Sequence, residues 1–337
     1  MVTGGSGYIA GFVIAQLLAE GYEVRATVRA MHREPEIRAS LSRIAPDQTR
    51  LRFFAADLTN DQGWAAATDG VDFVQHIASP VAEVMPRNED ELIRPAREGA
   101  LRTLRFARDG GVKRLVMTSS TAAVTYGQSA PPRRPFTKTD WTDENSPDTN
   151  AYIRSKAIAE KAAWAFLAAE GGALEMTTVN PAAVLGPVLG SDYSASIQIV
   201  QKLLNGDFPG SPRLGFPLVD VRDIADLHVR AMTSPVANGE RFLGSGDFLW
   251  MEEISRILRE HLGEEARKCP RGKLPDFLVK ALAIFDPVTR GVVFELGKRR
   301  PVDCAKARIK LGWVPRPAQD SILDTARSLL SQGLVKG

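Results

Sequence analysis

The chain has 337 residues, of which 44% are hydrophobic and 25% are charged, and its formal net charge is +3. This is the composition of an ordinary globular protein of about two domains. So small a net charge gives no reason to expect a nucleic-acid partner. No apolar run approaches the roughly 20 residues that cross a bilayer.

The cysteines and histidines limit the chemistry further. Two cysteines do not make a disulfide framework, and no signal-peptide pattern precedes the first predicted strand. The four histidines are not spaced as metal ligands. We therefore expect a reduced, cytoplasmic protein that has no metal site and binds neither nucleic acid nor a membrane.

The first predicted element is a glycine-rich turn between a strand and an apolar helix. Residues 3–10 read TGGSGYIA. Gly4 allows a tight turn, Gly7 lets the backbone approach a pyrophosphate, and Ala10 still permits close packing of helix on strand. Free N–H groups at the helix start would hold the phosphates. The pattern predicts a dinucleotide site; the alternative is a plain turn. The strand at Met1–Thr3 is very short, so either it is clipped or a few residues precede it.

The second predicted strand, at residues 22–28, decides which dinucleotide is expected. An NAD site needs a carboxylate at the end of this strand for the ribose hydroxyls. Glu23 lies instead at the strand's start, and the strand ends in Arg29. A guanidinium there suits a 2′-phosphate, so we predict NADP(H) as the cofactor. The alternative is a solvated arginine, and Arg25 is a weaker candidate on a face of the sheet.

A later strand, at residues 114–118, opens into a run of hydroxyl side chains. The carboxyl ends of parallel strands are where such sheets bind ligands. Ser120 in this run can hydrogen-bond a substrate carbonyl and hold it in place. The alternative is a strand end capped by small polar residues.

The next predicted helix, over residues 147–170 with Asn145 or Ser146 as its cap, carries Tyr152 and Lys156. Their spacing of four puts them on one face of the helix. A nearby ammonium is expected to lower the tyrosine pKa from its usual value of about 10. A tyrosine tuned in this way donates a proton to an alkoxide as it forms. The alternative is an ordinary half-buried tyrosine.

Alternating strand and helix patterns predict the fold class. The strand patterns lie at residues 22–28, 51–56, 71–77, 114–118 and 174–179. This alternation predicts an α/β fold with a Rossmann-type, doubly wound parallel sheet and a smaller, mostly helical C-terminal substrate lobe. We expect residues 1–185 to form the NADP-binding domain, with 217–244 returning to it through a strand at 218–221. Residues 186–216 and 245–337 would form the substrate lobe, and the loop 128–142 a rim of its pocket.

The combined motifs resemble the extended short-chain dehydrogenase/reductases. The matching elements occur in the family's order: residues 3–10, Asp57-Leu58, 118–120, Tyr152-x-x-x-Lys156, Asn180-Pro181 and the tail 301–315. Within that family, residues 21–29 and 76–80 look like the dihydroflavonol reductase/anthocyanidin reductase branch and its bacterial relatives. The resemblance covers most of the chain.

That resemblance implies roles for individual residues. It implies Ser120, Tyr152 and Lys156 as the catalytic residues, and Thr121 and Thr125 beside the substrate. The cofactor would contact Thr3, Gly4, Gly7, Tyr8, Ile9, Arg29, Asp57, Leu58, Ala78, Tyr152, Lys156, Pro181, Ala183 and Val184. The chain departs from the pattern at Thr125, where plant flavonoid reductases have an asparagine, and in residues 94–104, which lack the fourth catalytic asparagine of many relatives.

We therefore expect NADPH-dependent reduction of a ketone or aldehyde to an alcohol. The substrate would be a small carbonyl or alcohol compound, bulky or aromatic, and the protein a monomer or homodimer. Three alternatives share the fold: a sugar-nucleotide epimerase or dehydratase with tightly bound NAD, a hydroxysteroid dehydrogenase working in the oxidative direction, and a non-catalytic NADP-binding regulator. An intact Ser120, Tyr152 and Lys156 set speaks against the regulator, and Arg29 speaks against the NAD enzyme.

Overall fold

The computed structural model describes residues 1–80, 86, 88–127, 134–190, 192–285 and 287–336. Residues 128–133 of the expected pocket rim lie outside the described residues. The α-helices are α1 (Tyr8–Ala19), α2 (Glu34–Leu41), α3 (Trp64–Thr68), α4 (Asp90–Asp109), α5 (Ala151–Glu170), α6 (Ala195–Asn205), α7 (Val221–Thr233), α8 (Met251–Leu262), α9 (Asp276–Phe285), α10 (Pro287–Arg290), α11 (Ala305–Leu311) and α12 (Ala318–Ser331). The strands are β1 (Val24–Val28), β2 (Leu51–Ala55), β3 (Phe73–His76), β4 (Arg114–Thr118), β5 (Glu175–Pro181), β6 (Ala183–Leu185), β7 (Ser211–Pro212), β8 (Gly215–Asp220), β9 (Arg241–Gly244), β10 (Phe248–Trp250) and β11 (Lys273–Leu274).

The main sheet is parallel and is assembled from two parts. Strands β1 and β2 pair with each other, and β3, β4, β5 and β9 follow one another in a second ladder. Val2 joins the two parts, because it bridges to Ala26 in β1 and to Gln75 in β3. The strand order is therefore β2-β1-Val2-β3-β4-β5-β9, with the chain start at its centre.

Helices cover both faces of this sheet, since successive side chains of its strands point to opposite sides. In β4, Leu115 and Met117 belong to a hydrophobic cluster with α3, α4 and α5, whereas Val116 belongs to the cluster with α1 and α7. Both clusters are fully buried at their centres, at Trp64 and Phe242 for example. The predicted doubly wound α/β architecture is confirmed.

The strand predicted at residues 218–221 does not return to the main sheet. Strand β8 pairs instead with β6 and β10 in a separate small sheet. The position beside β5 is occupied by β9. Strand β8 stops at Asp220 because the carboxylate of Asp220 accepts a hydrogen bond from Arg222 N (2.9 Å) and caps α7. The return to the main sheet therefore occurs one helix later than predicted.

The helix that carries Tyr152 begins at Ala151, four residues later than predicted. Its cap is Asn150, whose side chain accepts a hydrogen bond from Ile153 N at 3.0 Å. The residues before it form a turn, in which Thr149 Oγ1 donates to the carbonyl of Ser146 (2.6 Å).

The C-terminal part packs helices on the small sheet and on each other. Helices α8 and α12 pack together, and α12 also packs on β8 and α6. The division into domains at the residues named above stays a prediction. Among the described residues, the structure has no helix of the length and apolarity that a membrane crossing requires.

Candidate active site

Close contacts leave little room for side chains at three glycines of the turn. Gly4 has a φ of +70°, and a Cβ there would lie 3.0 Å from the Cβ of Ala78. A Cβ on Gly7 would lie 3.1 Å from the Gly4 carbonyl oxygen, and one on Gly5 would lie 2.9 Å from the Cβ of Ala26. The close approaches at Gly4 and Gly5 therefore leave no room for side chains between the turn and the ends of β1 and β3.

Helix α1 starts from this turn with its amides free of protein acceptors. Its N-cap, Gly7, is extended and supplies no side-chain cap, and the first turn has no acidic residue. The first amide bonded within the helix is that of Gly11, to the Gly7 carbonyl. The amides of Tyr8, Ile9 and Ala10 and the positive end of the helix dipole thus face the cleft above the turn, which fits a pyrophosphate group.

Thr3 joins the glycine turn to the end of β3. Its Oγ1 accepts hydrogen bonds from the amides of Ile77 and Ala78, both at 3.0 Å. Because the oxygen accepts twice, its own hydrogen points to His76 Nδ1, also at 3.0 Å. Burial lowers the pKa of His76 to about 3, so the imidazole is neutral. Thr3, which we predicted to contact the cofactor, thus has its hydroxyl engaged with protein groups.

Arg29 and Asp57 stand at the ends of adjacent strands, where the adenosine end of a dinucleotide is expected. Arg29 is exposed and has no ion-pair partner within the described ranges. Hydrogen bonds from Thr59 Oγ1 (2.6 Å) and Thr59 N (2.7 Å) hold the pKa of Asp57 below its usual range, and the charge of Arg29 adds to this effect. Leu58 packs against Gly99, where a Cβ would approach to 2.8 Å.

The other arginines of this region are tied to the protein. Arg25 donates to the carbonyls of Ala66 and Asp69 on the α3 side of the sheet. Arg33 binds Glu36 and Asp192. Arg29 is therefore the guanidinium of this set that is available to a ligand.

Tyr152 and Lys156 lie on the first turns of α5, one turn apart. Lys156 Nζ is 5.6 Å from the centroid of the Tyr152 ring and donates to Ser79 Oγ at 2.8 Å. Burial lowers the pKa of Lys156 to about 8. Burial also raises the pKa of Tyr152, and its interaction with Ser120 offsets only part of that rise. The predicted lowering of the tyrosine pKa is thus wrong for the protein alone, because loss of hydration on burial dominates the shift.

Ser120 follows β4 in an extended conformation, and its Oγ accepts a hydrogen bond from Ala122 N (3.1 Å). Pro181, at the end of the neighbouring strand β5, is buried, and Ala183 and Val184 continue into β6. The structure therefore brings the predicted serine, tyrosine, glycine turn and β5–β6 segment to one edge of the sheet.

Comparison with known proteins places the chain in a family. The family model described as NAD dependent epimerase/dehydratase family matches residues 1–243. The chain belongs to this family. It is 31% identical over 335 residues to cinnamoyl-CoA reductase 1 of Arabidopsis thaliana, covering 98% of this chain and 89% of that protein. It is 30% identical over 319 residues to an anthocyanidin reductase of Vitis vinifera, covering 88% of this chain and 90% of that protein.

Solved structures share the whole architecture of this epimerase/dehydratase family member. The yeast methylglyoxal/isovaleraldehyde reductase complexed with NADPH superposes with a TM-score of 0.79 at 25% identity, covering 99% of both chains. Vestitone reductase from alfalfa (Medicago sativa) superposes with a TM-score of 0.74 at 24% identity, covering 99% of this chain and 98% of that chain. The resemblance to extended short-chain dehydrogenase/reductases is confirmed.

One buried carboxylate of this family member was missed by sequence reasoning. Glu160 is fully buried, and its Oε2 accepts hydrogen bonds from Ser119 Oγ (2.5 Å) and Asn180 Nδ2 (2.7 Å). Its Oε1 accepts from Arg241 Nε (2.7 Å). Because Asn180 also donates to the Ser120 carbonyl (3.2 Å), the network fixes the backbone beneath Ser120. The available signal was a lone glutamate in an alanine-rich stretch, one turn after Lys156.

A second group that sequence reasoning missed borders the expected substrate position. The Arg300 guanidinium lies 4.2 Å from the centroid of the Tyr126 ring and donates to the Thr125 carbonyl at 2.7 Å. Burial raises the pKa of Tyr126, and the Arg300 charge opposes that rise. Thr125 is buried and its hydroxyl donates to the Thr121 carbonyl (3.1 Å).

Proposed function

We propose that this protein is an NADP(H)-dependent carbonyl reductase that converts a ketone or aldehyde to an alcohol. The observation that carries the proposal is the placement of Tyr152 and Lys156 one turn apart on α5, with Lys156 Nζ 5.6 Å from the centroid of the Tyr152 ring. The same helix packs on the short turn that Ser120 caps. That turn follows the carboxyl end of β4, at the same sheet edge as the open start of α1. That edge is where doubly wound sheets bind ligands.

Each residue has a stated role in the proposed reaction. Ser120 Oγ donates a hydrogen bond to the carbonyl oxygen and stabilises the negative charge that develops there. Tyr152 Oη gives its proton to that oxygen, and the bound nicotinamide supplies the hydride that the carbonyl carbon receives. Lys156 provides a positive charge that favours the resulting phenolate. Burial that raises the pKa of Tyr152 keeps the phenol protonated before the reaction.

The proposed cofactor site follows from the same edge of the sheet. The backbone amides of Tyr8 and Ile9 would hold the pyrophosphate, since no side chain caps them. Arg29 would bind the 2′-phosphate of NADP. The remaining residues proposed to line the cofactor site are Thr3, Gly4, Gly7, Asp57, Leu58, Ala78, Tyr152, Lys156, Pro181, Ala183 and Val184.

The relatives support reduction rather than epimerisation. The relatives named above are reductases of cinnamoyl-CoA, of anthocyanidin and of methylglyoxal or isovaleraldehyde. We propose a bulky or aromatic carbonyl substrate beside Thr121 and Thr125, because the ring of Tyr126, the next residue in the chain, forms an edge-to-face pair with Phe294 (6.4 Å). We also propose a cytoplasmic location and a monomer or homodimer; free, buried Cys269 and Cys304 are compatible with a reducing compartment.

The test is nicotinamide oxidation by the purified protein with aryl ketones, aldehydes, dihydroflavonols and ketosteroids, with NADPH and NADH in parallel. Tyr152→Phe should lower kcat by about 10²–10⁴-fold, the usual contribution of general acid catalysis. Its NADPH affinity, measured by fluorescence titration, should stay within about twofold, because the phenol oxygen is one contact among many. Retained turnover in Tyr152→Phe would refute the proton-donor role. Bound NAD that copurifies, without carbonyl turnover, would favour the epimerase alternative.

A further inference from the structure

The Lys156 ammonium has a single hydrogen-bond partner within the described residues. Its Nζ donates to Ser79 Oγ at 2.8 Å. Lys156 is 8% exposed, and no carboxylate forms an ion pair with it in the described ranges. The Ser79 hydroxyl therefore replaces hydration that this buried charge has lost.

Ser79 is held in place through its preceding residues. The amides of Ile77 and Ala78 both donate to Thr3 Oγ1, which anchors this segment to the strand that leads into the glycine turn. Ser79 itself is half-buried. Because its oxygen accepts from the ammonium, its own hydrogen is free to donate elsewhere.

Other titratable groups around Lys156 do not take over this role. His76 is neutral and its Nδ1 is bound to Thr3. The Tyr152 phenol is protonated, since burial raises its pKa. Glu160, one turn along α5, is occupied by Ser119, Asn180 and Arg241.

Helix α4 offers no replacement for the asparagine that its sequence lacks. The hydroxyl that it buries, on Thr103, donates to the carbonyl of Gly99 in the same helix (2.9 Å). The segment after β3, rather than α4, therefore supplies the polar partner of Lys156.

We propose that Ser79 is a positioning residue for the proposed reductase reaction, which holds the Lys156 side chain beside Tyr152 and stabilises its charged form. A hydrogen bond that is accepted from an ammonium favours the protonated state. Ser79→Ala should therefore make Lys156 lose its proton at lower pH. Ser79→Thr keeps the hydroxyl and should behave as the parent protein does.

The decisive experiment needs no substrate. Acetic anhydride acetylates neutral amines, so its rate of reaction with Lys156 as a function of pH, read by peptide mass spectrometry, reports the titration of this lysine. In Ser79→Ala the midpoint should fall by about one pH unit, since a hydrogen bond to a charged group is worth roughly that much. Ser42→Ala is the matched control, because the Ser42 hydroxyl donates to the Ala39 carbonyl on an exposed helix end. The same midpoint in Ser79→Ala and the parent protein would overturn the proposal.

A turnover measurement separates positioning from a general loss of structure. With an active carbonyl substrate, Ser79→Ala should lower kcat and move the alkaline limb of the kcat–pH profile to lower pH, while KM for NADPH changes less than twofold. A uniform loss of kcat at every pH, with no movement of the limb, would contradict the proposal. The acetylation result stands even if no carbonyl substrate is found, so failure of the proposed function and failure of this inference are distinguishable.

Discussion

Replacing Arg29 by alanine tests whether the chain selects NADPH through this one side chain. The guanidinium follows the end of β1, is exposed, and has no carboxylate ion pair within the described residues. It lies close enough to Asp57 for its charge to contribute to the low pKa of that carboxyl. Arg29 therefore needs no rearrangement of an existing ion pair in order to meet a phosphate.

The size of the effect follows from this exposure. A hydrogen bond to a charged group contributes about 1.5–3 kcal/mol, and solvent screening of an exposed pair favours the lower end of that range. At about 1.4 kcal/mol for each factor of ten, Arg29→Ala should lower kcat/KM for NADPH by roughly 10–30-fold. The value for NADH should stay within about twofold, because NADH has no 2′-phosphate to lose.

The assay is steady-state kinetics with both cofactors at low and high salt. The NADPH advantage of the parent protein should shrink as ionic strength rises, since the contact is exposed. Arg33→Ala is the matched control, because that guanidinium is held by Glu36 and Asp192. An equal fall in kcat/KM for NADPH and NADH in Arg29→Ala would refute the reasoning. It would mean that Arg29 stabilises the site but does not bind the 2′-phosphate.

Three further predictions address the turn, the buried carboxylate and pH. Gly7→Ala places a Cβ 3.1 Å from a carbonyl oxygen of the same turn, so NADPH affinity by calorimetry should fall at least tenfold while the melting temperature changes little; unchanged affinity would contradict the phosphate site. Glu160→Ala leaves Arg241 buried without its carboxylate partner, so the free energy of unfolding in urea should fall by about 3–5 kcal/mol. A fall of less than about 1 kcal/mol would contradict this, because it would mean that water replaces the lost carboxylate. The kcat for carbonyl reduction should fall as pH rises through about 8, where Lys156 loses its proton; a flat profile between pH 7 and 9 would exclude a role for this charge.

Features that depend on short stretches of sequence were predictable. The glycine turn is coded by consecutive residues, and its required conformation, such as the positive φ of Gly4, follows from glycine alone. The spacing of Tyr152 and Lys156 needs only a helix. The start of that helix was predicted wrongly because Pro147 fits a first helical position, while Asn150 is an equally good cap and is the residue that the chain uses.

Features that depend on distant contacts were not predictable in the same way. The sequence around Glu160 does not indicate its hydrogen-bond partners. Ser119, Asn180 and Arg241 lie in three different parts of the chain, and only the fold brings them to this carboxylate. The direction of the Tyr152 pKa shift was predicted wrongly for a related reason. Sequence spacing reveals a charged neighbour, whereas the loss of hydration that dominates the pKa of Tyr152 is a property of the assembled core.

The two parts of the main sheet meet at the single-residue bridge that Val2 forms at the centre. On one side, Val2 N donates to the Arg25 carbonyl and Thr27 N donates to the Val2 carbonyl. On the other side, Thr3 N donates to the Gln75 carbonyl and Gln75 N donates to the Met1 carbonyl. Local opening of residues 1–3 would release these bonds together and separate the β1–β2 part of the sheet from the part that runs from β3 to β9. A dinucleotide bound along the glycine turn would span both halves, so the amides of Thr3, Thr27 and Gln75 should exchange hydrogen more slowly as one cooperative unit once the cofactor is bound.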